Sequence, residues 1–150
     1  MRLYKDEDFA QVVEITIGPL GQSREGAEGV IRWASRSDSA KIFVAEVDGE
    51  VAGFLMLEWP RTGWNRVAEI GLIAVLTRYR RKGFGSALMK EMERYAKEKG
   101  IRKVYVEPSA KNEIAIHFYI KNGYRPEAMR KDWYRDGEDS VILGKHLLRV

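Results

Sequence analysis

Apolar residues along this chain change from a helical spacing to a strand spacing and back, and this alternation predicts a mixed α/β fold. Residues 9–16 and 23–35 are interpreted as two helices, which follow a short strand at residues 2–4. From residue 42 to residue 58 the spacing becomes that of two strands joined by Asp48-Gly49, a pair that favours the positive φ angles of a tight hairpin turn. The first part of the chain therefore predicts one strand, two helices and a β-hairpin.

The second part of the chain continues the alternation. An apolar, β-branched strand at residues 68–75 is followed by a helix that begins near Phe84 and ends at Gly100. The next strand pairs most readily in parallel with the first, because strand, helix and strand then form a right-handed crossover. At 150 residues, of which 45% are hydrophobic, the chain has the size and the core of one domain. The remaining predicted elements are a strand at 103–107, a helix at 112–121 and two closing strands at 124–130 and 140–147.

The turn before the long helix is basic and contains glycine. Arg80, Arg81 and Lys82 directly precede Gly83 and Gly85. The first N–H groups of a helix have no intrahelical acceptor and carry the positive end of the helix dipole, so an anion is favoured there. Glycine lets the main chain approach a phosphate closely. The segment predicts a pyrophosphate-binding loop, and the alternative is a solvated basic turn.

Other nucleotide-binding and metal-binding motifs do not fit the sequence. The chain has no GxxxxGK[ST] string, and Leu88 stands where the GxGxxG fingerprint requires a small residue. Cysteine is absent, which excludes disulfides and thiolate nucleophiles. His117 and His146 lie outside any metal-ligand spacing, so no metal site is expected.

Charge and hydropathy indicate which partners and which cellular location to expect. The basic residues that give the net charge of +4 are interleaved with 22 acidic ones, so a nucleic-acid-binding module is a weaker interpretation than cofactor binding. The absence of a long apolar run and of a leader pattern predicts a soluble, cytoplasmic protein without a membrane partner. Abundant charge with scarce Asn, Gln and Cys suggests a thermophilic source.

Two motifs resemble those of the GNAT N-acetyltransferases. The first is Arg-x-x-Gly-x-Gly at residues 80–85, and the second is NEIAIHFYIKNGY at residues 112–124. The order of the predicted elements is similar to that of the family as well. The resemblance implies a mixed, mostly antiparallel sheet of about seven strands with four flanking helices, in which a parallel pair splays at an acetyl-CoA site.

The resemblance also implies the residues that hold acetyl-CoA, with no metal taking part. The strand before the loop lends main-chain groups to the pantetheine arm, and the loop binds the pyrophosphate. Asn112 contacts the pantetheine or acetyl group, and Tyr119 lies near the sulfur. From spacing alone, Tyr119 is explained equally well as a core aromatic. The implied cofactor-binding residues are Ile73, Ala74, Val75, Arg80, Arg81, Lys82, Gly83, Phe84, Gly85, Ser86, Asn112 and Tyr119.

The tail RKDWYRDGEDSVIL resembles the closing segment of the ribosomal-protein and other N-terminal α-amine acetyltransferases. Trp133 and Tyr134 match the paired aromatics of that segment, which implies that they bind the acceptor. A protein or peptide N-terminus is the leading acceptor, and a lysine or a small amine is the alternative. A non-catalytic CoA-binding sensor or a nucleic-acid-binding module is the rival of another class. A monomer or homodimer is expected.

Direct attack of an amine on a thioester requires a base for the amine proton and an acid for the leaving thiolate. By resemblance, Glu107 matches the base of the ribosomal-protein branch and Glu69 matches the base of the histone-lysine branch. The sequence does not separate the two. Tyr119 is the expected acid. An α-amine, with a pKa of about 8, is already partly neutral near pH 7 and therefore needs a weaker base than a lysine does.

Overall fold

The structure is a computed structural model that describes residues 1–61 and 65–148. In these residues seven strands form one sheet in the order β1-β2-β3-β4-β5-β7-β6, and only the β4–β5 pair is parallel. The predicted mixed sheet with four helices is confirmed. The strands are β1 (Arg2–Leu3), β2 (Ala40–Val47), β3 (Glu50–Glu58), β4 (Val67–Val75), β5 (Lys103–Val106), β6 (Arg125–Arg130) and β7 (Ser140–His146), and the helices are α1 (Phe9–Ile17), α2 (Arg24–Arg36), α3 (Phe84–Glu98) and α4 (Glu113–Lys121).

Local signals in the sequence account for the ends of these elements. The Ser23 hydroxyl accepts a hydrogen bond from the N–H of Gly26 at 3.0 Å and so caps α2. Asp48 and Gly49 have φ angles of 50° and 79°, which is the conformation that a tight hairpin turn requires. Asn112 caps α4 by accepting from the N–H of Ala115 at 3.2 Å. The predicted element boundaries agree with the structure to within about two residues.

Two hydrophobic cores lie on opposite faces of the sheet. The first contains buried residues of α1 and α2 together with Val44, Phe54 and Met56 of the sheet. The second contains buried residues of α3 and α4 together with Leu55 and Leu57. Alternate residues of β3 therefore serve the two cores in turn, as the period of two in a strand requires.

A β-bulge at Gly71 reverses the facing of β4. Leu57 pairs with Ile70 and Met56 pairs with Leu72, which leaves Gly71 as the extra residue. Ile70, before the bulge, belongs to the core beneath α3, whereas Leu72, after it, packs against the core beneath α1 and α2. Since neighbouring residues point to opposite faces, the side chain of Glu69 lies on the α1/α2 face of the sheet.

The parallel strands β4 and β5 separate after a short paired section. Their register joins Val67 with Lys103, Ala68 with Val104 and Glu69 with Tyr105. Beyond that point β4 continues to Val75 and pairs only with β3, whereas β5 ends at Val106 and pairs with β7. The pair therefore opens into a cleft at Glu69.

Candidate active site

The loop between β4 and α3 presents main-chain N–H groups at a helix start. Arg81 and Gly83 have φ angles of 63° and 84°, and α3 begins at the next residue, Phe84. Within the part of the chain that the structure describes, the N–H groups of residues 81–86 have no main-chain acceptor. Left-handed residues in such a turn can direct successive N–H groups to one side and form a concave anion site. The predicted phosphate loop thus has the geometry to hold an anion.

Side-chain contacts fix this loop from both ends. The Arg80 guanidinium donates through Nε to the carbonyl of Val75 at 3.1 Å, which ties the loop to the end of β4. Tyr79 packs edge-on against Phe84 with the ring centroids 5.9 Å apart. Arg80, Arg81 and Lys82 are all exposed, so their charges stand at the loop surface where a phosphate would bind.

Glycine is required at the two positions of the loop for different structural reasons. A Cβ on Gly83 would meet no atom, but the φ of +84° is one that side chains rarely adopt. A Cβ on Gly85 would lie 3.1 Å from the ring of Phe118 on α4. The sequence argument explained Gly85 by phosphate approach alone, and the packing of α3 on α4 is a second reason that it missed.

Tyr119 lies almost entirely inside the second core. It is 6% exposed, and its ring packs edge-on against Phe118 and Tyr124 with centroid distances of 5.4 and 6.2 Å. Burial raises the pKa of the Tyr119 phenol, and the neighbouring Tyr134 raises it further. The phenol is therefore protonated at neutral pH and is able to donate a proton or a hydrogen bond.

Glu107 lies directly after β5 and is held by partners from the two closing strands. Its Oε2 accepts from Arg130 Nε at 2.8 Å and from the Ser140 hydroxyl at 2.5 Å, and its side chain is 9% exposed. The Tyr134 hydroxyl donates to the main-chain carbonyl of Glu107. This carboxylate is thus occupied by protein donors.

Glu69 has a different environment, although it lies on the neighbouring strand. It stands in register between Glu58 on β3 and Tyr105 on β5, and its Oε2 accepts from the Tyr105 hydroxyl at 3.2 Å. Burial raises the pKa of Glu69; the Tyr105 hydrogen bond lowers it, the charges of Glu58 and Glu107 raise it, and Arg130 lowers it. The Tyr105 phenol in turn has its pKa raised to about 12 by burial and by the Glu69 carboxylate.

An open cavity of about 320 Å³ adjoins this carboxylate, and we call it the carboxylate cavity. Its floor is formed by the cross-strand row of Glu58, Glu69 and Tyr105. Burial raises the pKa of Glu58 as well. Two carboxylates among aromatic walls form an environment that suits a primary ammonium or amine. The lining residues are Trp33, Glu58, Trp59, Pro60, Asn65, Val67, Glu69 and Tyr105.

The paired aromatics of the tail lie in the connection between β6 and β7. Trp133 and Tyr134 are 52% and 37% exposed, and the Arg130 guanidinium lies 4.7 Å from the centre of the Trp133 ring. Burial raises the pKa of Tyr134, and the charges of Glu107, Glu69 and Glu138 add to the effect. Tyr134 therefore lies close to both predicted bases, whereas Trp133 stacks on the outer side with Arg130.

Sequence reasoning missed several residues of this site. Tyr105 could have been found, because it lies two residues before Glu107 on a predicted strand and must share its face. Glu58, Arg130 and Ser140 gave no local signal, since they reach the site through pairing of strands that are distant in sequence. Residues 1–61 and 65–148 contain no cluster of metal-ligating side chains and no helix long and apolar enough to cross a membrane.

A mostly antiparallel sheet whose one parallel pair opens beside a helix-start loop is the architecture of an acetyl-CoA-dependent acyltransferase, and the family match supports that class. Residues 7–124 match the Acetyltransferase (GNAT) family, and the chain belongs to that family. The relationship that the two sequence motifs implied is therefore confirmed.

Relatives with more specific names are similar over most of the chain. An N-alpha-acetyltransferase of Sulfurisphaera tokodaii is 36% identical over 117 residues, which cover 72% of this chain and 70% of the relative. The crystal structure of Ard1 from Thermoplasma volcanium superposes with a TM-score of 0.81 at 28% identity and covers 99% of this chain and 97% of its own. The ribosomal-protein-S18-alanine N-acetyltransferase from Escherichia coli has the same fold, with a TM-score of 0.81 at 21% identity over 99% of this chain and 93% of its own.

Proposed function

We propose that this protein transfers the acetyl group of acetyl-CoA directly to the N-terminal α-amine of a protein or peptide, with Glu69 as the general base. The observation that carries the proposal is the half-buried Glu69 carboxylate at the point where β4 and β5 separate. Its raised pKa suits it to take a proton near neutral pH, because a general base works best with a pKa near the working pH.

The environment of Glu107 supports a positioning role for that residue. Its Oε2 already accepts from Arg130 and Ser140, so a guanidinium and a hydroxyl fix this oxygen against the two closing strands. Through these contacts and the Tyr134 hydroxyl, Glu107 ties the closing strands and the tail to the end of β5. We therefore assign the base role to Glu69 and the orientation of Tyr134 to Glu107.

The reaction then needs one acid and one base. The amine nitrogen forms a bond to the thioester carbonyl carbon, and Glu69 takes the proton that the nitrogen loses. The carbon–sulfur bond breaks, and the thiolate of CoA receives a proton from the buried Tyr119 phenol. The main-chain edge of β4 at Ile73, Ala74 and Val75, which has no strand partner on the cleft side among the described residues, can hold the pantetheine arm. No side-chain nucleophile is required.

An α-amine fits this base better than a lysine does. An α-amine with a pKa of about 8 is neutral in roughly a tenth of molecules at pH 7, whereas a lysine near 10.4 is neutral in well under a thousandth. A carboxylate that accepts one hydrogen bond from a tyrosine hydroxyl is sufficient for the α-amine. The name of the N-alpha-acetyltransferase relative from Sulfurisphaera tokodaii supports the same class of acceptor.

The acceptor is tested by release of free CoA thiol from acetyl-CoA with a matched set of amines. Peptides with a free N-terminus are compared with the same peptides blocked at the N-terminus and carrying one internal lysine, and with small amines. Acetylation of only the free α-amine, confirmed by mass spectrometry, is the expected result. Faster acetylation of the blocked lysine peptide would contradict the proposal, and binding of CoA without turnover of any amine would favour the sensor alternative.

The cofactor loop is tested separately by calorimetric titration with CoA. Affinity for CoA should fall as the salt concentration rises, because salt screens the exposed charges of Arg81 and Lys82. This fall should be steeper than that of the affinity for the phosphate-free pantetheine fragment. Arg81→Gln should flatten the salt dependence, while Lys90→Gln, an exposed change further along α3, should not. If the affinities for CoA and for pantetheine depended equally on salt concentration, the loop would not be the site that binds the phosphates.

A further inference from the structure

A second cavity lies beside the carboxylate cavity and carries the opposite charge. Its volume is about 690 Å³, and Arg32, Arg36 and Arg61 line it together with a single acidic residue, Asp38. We call it the arginine cavity. Trp33 and Trp59 line both cavities, so the two cavities adjoin at these aromatic side chains.

The three arginines of this cavity are not used in ion pairs within the described residues. The ion pairs found there involve Arg2, Arg24, Arg78, Arg94 and Arg130 but none of the cavity arginines. All three are exposed, and Arg32 stacks on the ring of Phe9 with its guanidinium carbon 5.1 Å from the ring centre. By contrast Arg24, on the same helix but outside the cavity, pairs with Glu14 at 2.8 Å. Three arginines that line one cavity, with Arg36 and Arg61 free, in the described part of the chain, of the aromatic contact that Arg32 makes, give it the charge to bind a carboxylate.

The neighbouring charges match a ligand with an ammonium group followed by an acidic group. In the proposed mechanism the acceptor amine lies beside Glu69 in the carboxylate cavity. The arginine cavity adjoins that cavity at Trp33 and Trp59, so it is within reach of the residues that follow the amine. We infer that Arg32, Arg36 and Arg61 select acceptor peptides that carry an acidic side chain within the first few residues after the acetylated amine. This inference rests on the proposed N-terminal acetyltransferase activity.

A nucleic acid is a poorer match for the same arginines. A phosphate backbone is neutralised by an extended row of basic residues along its path. Here Asp38 stands in the cavity itself, and Glu58 and Glu69 line the adjoining one. A polyanion that continued across the shared wall would meet these carboxylates, whereas a peptide with one acidic residue would not.

The inference is tested with peptides that differ at one residue. A series with a free N-terminus carries glutamate, glutamine or lysine at the second, third, fourth or fifth position, and kcat and KM are measured for each peptide. At one of these positions glutamate should lower KM about two- to fivefold relative to glutamine with kcat nearly unchanged, because the contact is equal in ground and transition states. The preference should shrink at high salt, because exposed charges are screened.

Variants connect the preference to the cavity. The double variant Arg36→Gln, Arg61→Gln should lose the preference for glutamate while acetylating the glutamine peptide as before. Arg24→Gln, a change on the same helix outside the cavity, should keep the preference. Arg36→Glu should favour the lysine peptide at the same position.

The outcomes separate this inference from the proposed function. Equal KM values for glutamate, glutamine and lysine at every position would overturn the inference and leave the N-terminal activity standing. An equal loss of activity on all peptides in the double variant would also overturn it, since the arginines would then be structural. Failure of every free α-amine to accept the acetyl group would instead refute the proposed function.

Discussion

Replacement of Glu69 by glutamine tests the assignment of the base most directly. The substitution keeps the size of the side chain and its contact with the Tyr105 hydroxyl, and it removes the ability to take a proton. General bases contribute about 10² to 10⁴ in rate, which corresponds to roughly 3 to 5 kcal/mol in the activation free energy. We expect kcat of Glu69→Gln to fall by that factor at neutral pH, with little change in affinity for CoA.

The pH dependence of this loss distinguishes a base from a positioning residue. Without its base the enzyme depends on amine that is already neutral, and an amine with a pKa of about 8 is neutral in roughly one molecule in a hundred at pH 6 and in about nine of ten at pH 9. The deficit of Glu69→Gln relative to the wild type should therefore shrink by roughly two powers of ten between pH 6 and pH 9. The assay is initial-rate thiol release at saturating peptide and acetyl-CoA over this range.

Two further variants make the test specific. Tyr105→Phe removes the hydrogen bond that lowers the pKa of Glu69, so its pKa should rise further and the acid limb of kcat should move to higher pH. Glu127→Gln, which changes a carboxylate paired with Lys103 at 2.6 Å outside the cavity, should leave the profile unchanged. A deficit of Glu69→Gln that stays constant with pH, or a larger and pH-dependent deficit in Glu107→Gln, would show that Glu69 is not the base.

Three other substitutions follow from the same contacts. Tyr119→Phe should lower kcat with little change in KM for peptide, because burial keeps this phenol protonated for the leaving thiolate; an unchanged kcat in steady-state assays would make it a core residue only. Gly83→Val should abolish CoA binding in calorimetry while circular dichroism stays native, because a β-branched residue disfavours φ of +84°; native affinity would mean that the loop does not bind phosphate. Lys145→Met should lower the free energy of unfolding in urea by about 1 to 3 kcal/mol, because it leaves the buried Glu93 carboxylate without its 2.8 Å partner. The control Lys131→Met, at an exposed ion pair, should lower it by less than about 0.5 kcal/mol. Equal losses in the two variants would contradict this reasoning.

The order of the elements could be predicted because each was marked by local chemistry. Ser23 and Asn112 cap helices, Asp48-Gly49 forms a hairpin turn, and Gly83 precedes a helix start. These signals act within a few residues of their position, so the sequence alone contains them. The predicted phosphate loop was also marked by a local signal, because the turn and the helix start that form it are contiguous in the sequence.

The differences between the two predicted bases could not be obtained in that way. Arg130 and Ser140, which contact Glu107, each follow it by more than twenty residues in the sequence, and Glu58 stands opposite Glu69 only through the β3–β4 register. A one-residue change of register would turn either carboxylate to the other face of the sheet. Sequence spacing therefore indicated two candidate carboxylates but left Glu69 and Glu107 equivalent.

In the proposed mechanism, the bulge at Gly71 lets one strand serve two ligands on opposite faces. Glu69 and Ile73 are four positions apart, so in a regular strand they would point to the same face. With it, Glu69 lies on the α1/α2 face beside the carboxylate cavity, whereas Ile73 packs against the core beneath α3, where the phosphate loop begins. Glycine is suited to this position, because a Cβ there would lie 2.5 Å from the terminal methyl of Met56 and 3.4 Å from the Glu58 carboxylate. In the proposed mechanism the bulge therefore lets the amine approach from one side of the sheet and the thioester from the other, and the two would meet at Glu69, where β4 and β5 separate.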